Sequence, residues 1–109
     1  MAVNMDKETA LMYCGGDEEF LKEMYEMYLD ADKRTEIQDA YEKKNWADYA
    51  ILVHALKSTS KSIGAVELSE HSLQLEMAAK GQDEATILAH HDAVLQEYAE
   101  VLDWCTRNK

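Results

Sequence analysis

Between Asp17 and Lys109 the chain has only two glycines, Gly64 and Gly81, and the whole sequence has no proline. An all-β sandwich or barrel needs turn signals about every 8–12 residues. A chain with so few breaks is built from helices, and the apolar residues between the breaks recur at helical rather than strand spacing.

The breaks divide the sequence into four helical stretches and a short N-terminal piece. Asp17, after Gly15-Gly16, is placed as an N-cap, with Glu18 and Glu19 in the first turn where they complement the helix dipole. A long helix is predicted from there to Glu42-Lys43-Lys44, with the inward stripe Phe20, Met24, Tyr28, Ala31, a weak link at Thr35, then Ile37, Ala40 and Tyr41. Asn45 caps a second helix from Trp46 to about Ile63, where Gly64 can end it in a left-handed conformation. Its core face is Trp46, Tyr49, Val53, Leu56, Ser60 and Ile63. A third helix runs from Val66 to Lys80, with Leu68, Ser72, Leu75 and Ala79 inward and Gly81 as its stop. Asp83 caps a fourth, with the stripe Leu88, His91, Leu95, Tyr98, Leu102 and Cys105.

The connections are a few residues long, so neighbouring helices are expected to be antiparallel. The predicted fold is all-α: an up-down-up-down four-helix bundle, with residues 5 to 14 as a short extra helix packed on one end. At 109 residues the chain is one domain, residues 1–109, with no repeat or linker.

Charge excludes several roles. Eleven Lys and Arg against 22 Asp and Glu give a net charge of −11, which opposes binding to nucleic acid or to an anionic membrane surface. There is no apolar run long enough to span a bilayer and no secretory signal at the N-terminus, so a soluble, cytoplasmic monomer is expected. Cys14 and Cys105 form no C-x-x-C motif and read as packed, reduced thiols.

The acids are unevenly placed. Residues 49 to 66 contain none, and this window holds His54, Lys57 and Lys61. On a helix whose core centre is Val53, His54 lies about 100° round, and Ala47, Ala50, Lys57, Ser58 and Lys61 share its flank. Such a flank is small, basic and open to solvent. A histidine there with a lysine one turn on is a nucleophile beside a charge that can steady a phosphoryl oxygen. Taken alone, an exposed helical histidine near two lysines is usually only a solvated surface residue.

Register adds a third residue. His54 precedes Gly64 by ten positions and Glu76 follows it by twelve, so across an antiparallel turn the two stand at about the same height. If Glu76 faces inward it can accept a hydrogen bond from one imidazole nitrogen and leave the other as the nucleophile. If not, it is one more solvated carboxylate.

The run His54-Ala-Leu-Lys57-Ser58-Thr-Ser-Lys-Ser-Ile63-Gly64-Ala65, with Leu68 and Leu75-Glu76, resembles the signature of the histidine-containing phosphotransfer (HPt) domains of two-component phosphorelays. The resemblance extends upstream to Trp46 and to Gly15-Gly16-Asp17 with its acidic, apolar helix. It implies a four-helix bundle in which His54 is the phosphorylated histidine, Lys57 steadies the phosphate, Glu76 orients the imidazole and Gly64 is structural. Most members have glycine where this chain has Ser58, a small residue that keeps the approach open. The resemblance further implies a phosphocarrier that is not an enzyme, taking the group from one receiver domain and passing it to another. Response-regulator receivers are the expected partners, with a hybrid histidine kinase as a further one. They bring the Mg²⁺, so no metal or cofactor is expected on this chain. Lys61, Ser58 and the exposed Ala47, Ala50 and Ile51 form the expected docking face.

Two other readings stay open at this point: a helical module that docks a response regulator without phosphotransfer, and the phosphoacceptor piece of a larger hybrid kinase. The remaining histidines point elsewhere. His90 and His91 are about 100° apart and no Glu-x-x-His pair accompanies them, so a di-metal bundle site is not expected. His91 is expected to be packed and hydrogen-bonded, His71 and His90 to lie at the surface. Ser60 is expected to face the core and bond a backbone carbonyl in the preceding turn. No glycine-rich phosphate loop is present.

Overall fold

A computed structural model describes residues 3–109; Met1 and Ala2 of the expected domain lie outside the described residues. Every regular element in it is a helix: α1 (Lys7–Tyr13), α2 (Glu18–Asp30), α3 (Arg34–Glu42), α4 (Trp46–Ser62), α5 (Val66–Lys80) and α6 (Glu84–Asn108). The caps follow from side-chain chemistry. Asp17 accepts from the Glu19 and Phe20 amides, Asn45 from that of Asp48, and Asp83 from that of Thr86. Asp6 does the same for α1 through Thr9.

The long first helix predicted from the sequence is two helices. Asp32 accepts the Arg34 amide at 3.0 Å and pairs with its guanidinium at 2.7 Å, so the side chain takes a backbone donor that a continuing helix would have used. The Lys33 amide donates instead to the Tyr98 hydroxyl at 3.1 Å, which fixes the break against α6. The inward stripe of α2 is Leu21, Tyr25 and Tyr28 rather than Phe20, Met24 and Tyr28, and Phe20 is exposed. Tyr25 meets Trp104 edge-on with ring centroids 5.3 Å apart, and Tyr28 meets Tyr98 at 5.8 Å. On α6 His91, Tyr98, Leu102 and Cys105 are buried as expected, but Ile87 takes the place expected of Leu88, which is open to solvent, and Val94 is buried beside a partly buried Leu95.

Helices α4 and α5 pack along their length, α6 lies against α5 and α2, and α3 against α4. Tyr49, Val53 and Leu56 of α4 and its C-cap residue Ile63 join Leu68, Leu75 and Ala79 of α5 in the core, as the periodicity predicted. Trp46, expected among the α4 core residues, is only partly buried and packs edge-on to Tyr49. His91 is fully buried, stacked on Tyr41 at 3.6 Å, and bonded through Nδ1 to the Tyr49 hydroxyl and through Nε2 to Gln38. Gln38 Oε1 accepts, so the proton is on Nε2 and the Tyr49 hydroxyl donates to Nδ1. Burial lowers the His91 pKa and keeps the ring neutral. Ser60 faces the core, but its partner is the Tyr28 hydroxyl at 2.9 Å and not a carbonyl of its own helix, because the tyrosine leaves a hydroxyl to be satisfied at that depth. Cys14 and Cys105 are both buried and free, and burial pushes the Cys105 thiol up to about 12.

Two turns position the site. Gly64 has φ +87 and ends α4, and its carbonyl accepts the Asp6 amide at 2.8 Å, tying α1 to the α4–α5 turn. At the other end of α5, Gly81 has φ −86 and the left-handed residue is Gln82, φ 55.

Candidate functional site

His54 stands on the exposed side of α4, one position round from the fully buried Val53. Its side chain keeps 57% of its accessible surface, whereas that of Glu76 on α5 keeps 4%. The two meet at 2.7 Å, His54 Nδ1 to Glu76 Oε2. A carboxylate only accepts, so Nδ1–H donates and the proton is on Nδ1. Nε2 then carries a lone pair, on the part of the ring that no protein group engages.

The carboxylate is held from three sides. Lys57 donates to Oε1 at 2.8 Å and Lys80 to Oε2 at 2.9 Å, beside the imidazole. Burial alone would raise the pKa of Glu76; the hydrogen bonds from Lys57, Lys80 and His54 outweigh it and hold the group down at about 2. Glu76 is therefore a fixed anion at any physiological pH. Lys57 Nζ also lies 3.3 Å from His54 Nδ1. A further tie sets the height of α4 on α5: the buried Ser69 hydroxyl donates to the Lys57 carbonyl at 2.8 Å.

A groove of about 520 Å³ opens beside the histidine. It runs towards the start of α4, over Trp46, Ala47, Ala50 and Ile51, and is bounded on the α5 side by Ala79, Lys80 and Gln82. Ala47 and Ile51 are exposed, as the sequence predicted. Ala50 is not: at 7% exposure it faces α5 and forms the groove's floor, because it lies on the same side of α4 as the core residue Val53. Ser58 and Lys61 are exposed on the following turns of α4, outside this groove.

Lys80 and Ser69 were missed in the sequence. Lys80 is four residues after Glu76, a spacing that brings an ammonium onto a helical carboxylate and was there to be read. Ser69 has no such signal, since its partner is a backbone carbonyl of another helix. The other histidines are apart from the site: His71 bonds Glu97 at 2.7 Å and His90 is exposed. Among the described residues no cluster of three His, Cys, Asp or Glu is arranged to hold a metal, and no helix is long and apolar enough to cross a membrane.

Comparison with curated proteins and with solved structures gave no match in either case. A family model does match, that of the Hpt domain, over residues 18–104, which takes in α2 to α5 and most of α6 and includes His54, Lys57 and Glu76. Carrying histidine phosphotransfer in phosphorelays is the role of that family, and with four fifths of its length matched the chain belongs to the Hpt domain family.

Proposed function

We propose that the chain is a phosphocarrier in which His54 takes a phosphoryl group from the aspartyl phosphate of one receiver domain and passes it to an aspartate of another. The observation that carries this reading is the solvent-facing histidine whose Nδ1 is held by a buried, permanently ionised carboxylate. In the transfer the Nε2 lone pair attacks phosphorus, an Nε2–P bond forms, and the P–O bond to the donor aspartate breaks, its electron pair leaving on the carboxylate. The Nδ1 proton stays where it is. The ring gains positive charge as the bond forms, and Glu76 lies 2.7 Å from the nitrogen that carries that proton. The return transfer is the same step reversed towards a second aspartate.

Lys57 steadies the phosphoryl oxygens once its flexible stem swings from the Nδ1 side to the Nε2 side. The receiver supplies Mg²⁺ and its acidic pocket, and this chain brings no cofactor. An exposed, slightly apolar surface at Ala47 and Ile51 beside the basic Lys57, Lys61 and Lys80 suits an acidic receiver mouth, and Ser58 leaves the approach to His54 open. An antiparallel up-down bundle formed by one chain as a single domain is the arrangement we infer, acting as a monomer in the cytoplasm.

The test is transfer itself. Mixed with a phosphorylated receiver and Mg²⁺, the protein is expected to take up label that is acid-labile and base-stable; uptake of none would refute the reading. Glu76→Ala is expected to slow uptake about tenfold or more, since losing one oriented charge interaction costs about 1.4 kcal/mol or more in the transition state, while the circular dichroism spectrum stays helical. An unchanged rate would remove the orienting role of Glu76.

A further inference from the structure

The charge around Glu76 contains one cation more than orienting the imidazole requires. Oε1 takes Lys57, and Oε2 takes both His54 Nδ1–H and Lys80 Nζ. Lys57 rests on Oε1 with its ammonium 3.3 Å from Nδ1, and holding the oxygens of a phosphoryl group on Nε2 would draw it off that carboxylate oxygen. Departure would strip a carboxylate whose side chain is 4% exposed of one of its two ammonium partners. A buried carboxylate left without compensation is costly, and that cost opposes the swing.

Lys80 removes the obstacle. Its side chain is 66% exposed and reaches Oε2 from the next turn of α5, so its ion pair with Glu76 does not depend on where Lys57 is. Resting on that phosphocarrier reading, we propose that Lys80 is a positioning residue that keeps Glu76 charged and fixed while Lys57 moves to the phosphoryl group. It thereby lets one carboxylate serve two functions in turn: a parking place for Lys57 at rest, and an anchor for His54 during transfer. Lys80 also borders the groove beside His54, so a direct contact with the partner is the competing explanation for any effect of its loss.

The two are separated by using two phosphoryl donors. With phosphoramidate, a small donor that has no docking surface, Nε2 attacks phosphorus, the P–N bond breaks and ammonia leaves. Lys80→Gln is expected to slow labelling of His54 about fivefold both with phosphoramidate and with the phosphorylated receiver, the factor equivalent to about 1 kcal/mol, and Lys80→Arg is expected to restore it. In a Lys57→Ala background Lys80→Gln is expected to slow labelling more than it does in the wild type, because Glu76 is then left with no ammonium at all; an independent structural defect would slow both backgrounds equally. Slowing only with the receiver would make Lys80 a docking contact and overturn the proposal. An unchanged rate with both donors, or equal slowing with and without Lys57, would overturn it too. If the wild-type protein takes no label from either donor, the phosphocarrier reading fails and this inference with it, a result distinct from a labelled wild type that Lys80→Gln leaves unaltered.

Discussion

His54→Gln is expected to abolish phosphoryl uptake completely while leaving the fold and the partner surface in place. Glutamine has no nucleophilic nitrogen, since its amide lone pair is delocalised, so the loss is absolute rather than a matter of rate. The side chain it replaces is more than half exposed and contributes nothing to the core, so the stability change is expected to stay within about 0.5 kcal/mol. Glu76 loses the imidazole donor but keeps Lys57 and Lys80, and the new carboxamide can donate in its place. The measurements are label uptake from a phosphorylated receiver, thermal melting, and receiver affinity by calorimetry. Uptake equal to wild type would show that the nucleophile is another residue. A His54→Gln protein that still binds the receiver but takes no label separates docking from transfer.

Gly64→Ala is expected to have the largest effect on stability of the four glycine-to-alanine changes. Two independent costs coincide there. The backbone has φ +87, a region L side chains avoid at about 1–2 kcal/mol. A Cβ at that position would also come within 2.3 Å of the Asp6 carbonyl oxygen, a backbone atom that cannot swing aside. Relief requires moving the segment before α1 away, which breaks the Asp6–Gly64 hydrogen bond and loosens the fully buried Ala10. With about 1 kcal/mol for the bond, the sum is about 2–3 kcal/mol, a fall in Tm of roughly 10 °C for a domain of this size. Gly15→Ala separates the two costs: φ there is +66 but nothing lies within 4 Å of the added carbon, so only the backbone penalty applies. Equal losses for the two variants would contradict the steric part of the argument.

The sequence made the helices legible because caps and breakers are local. Asp17, Asn45 and Asp83 cap by bonding amides two or three residues ahead, and each helix begins where they predict. The break at Ala31–Lys33 was not legible, because half of what fixes it is the Tyr98 hydroxyl, 65 residues away in the chain. The stripe of α2 was misassigned because two stripes sharing Tyr28 fit the same periodicity, and only the positions of Trp104 and Tyr98 distinguish them. Within the site, the His54–Glu76 contact could be anticipated from equal distances to the turn at Gly64. The burial of Ala50 was there to be read as well, because it lies three residues before Val53 and so nearer the core centre of α4 than His54 does. The overall −11 argues against a polyanion partner, yet around His54 three cationic or polar donors converge on a single carboxylate.

The central claim is that Glu76 holds the proton on Nδ1 and leaves Nε2 of His54 as the acceptor. Nitrogen–phosphorus correlation by NMR on the ¹⁵N-histidine-labelled, phosphorylated protein tests it most directly. The expected spectrum has phosphorus coupled to Nε2 of His54, with Nδ1 still protonated. Phosphorus on Nδ1, on His71, His90 or His91, or on no histidine at all would contradict it.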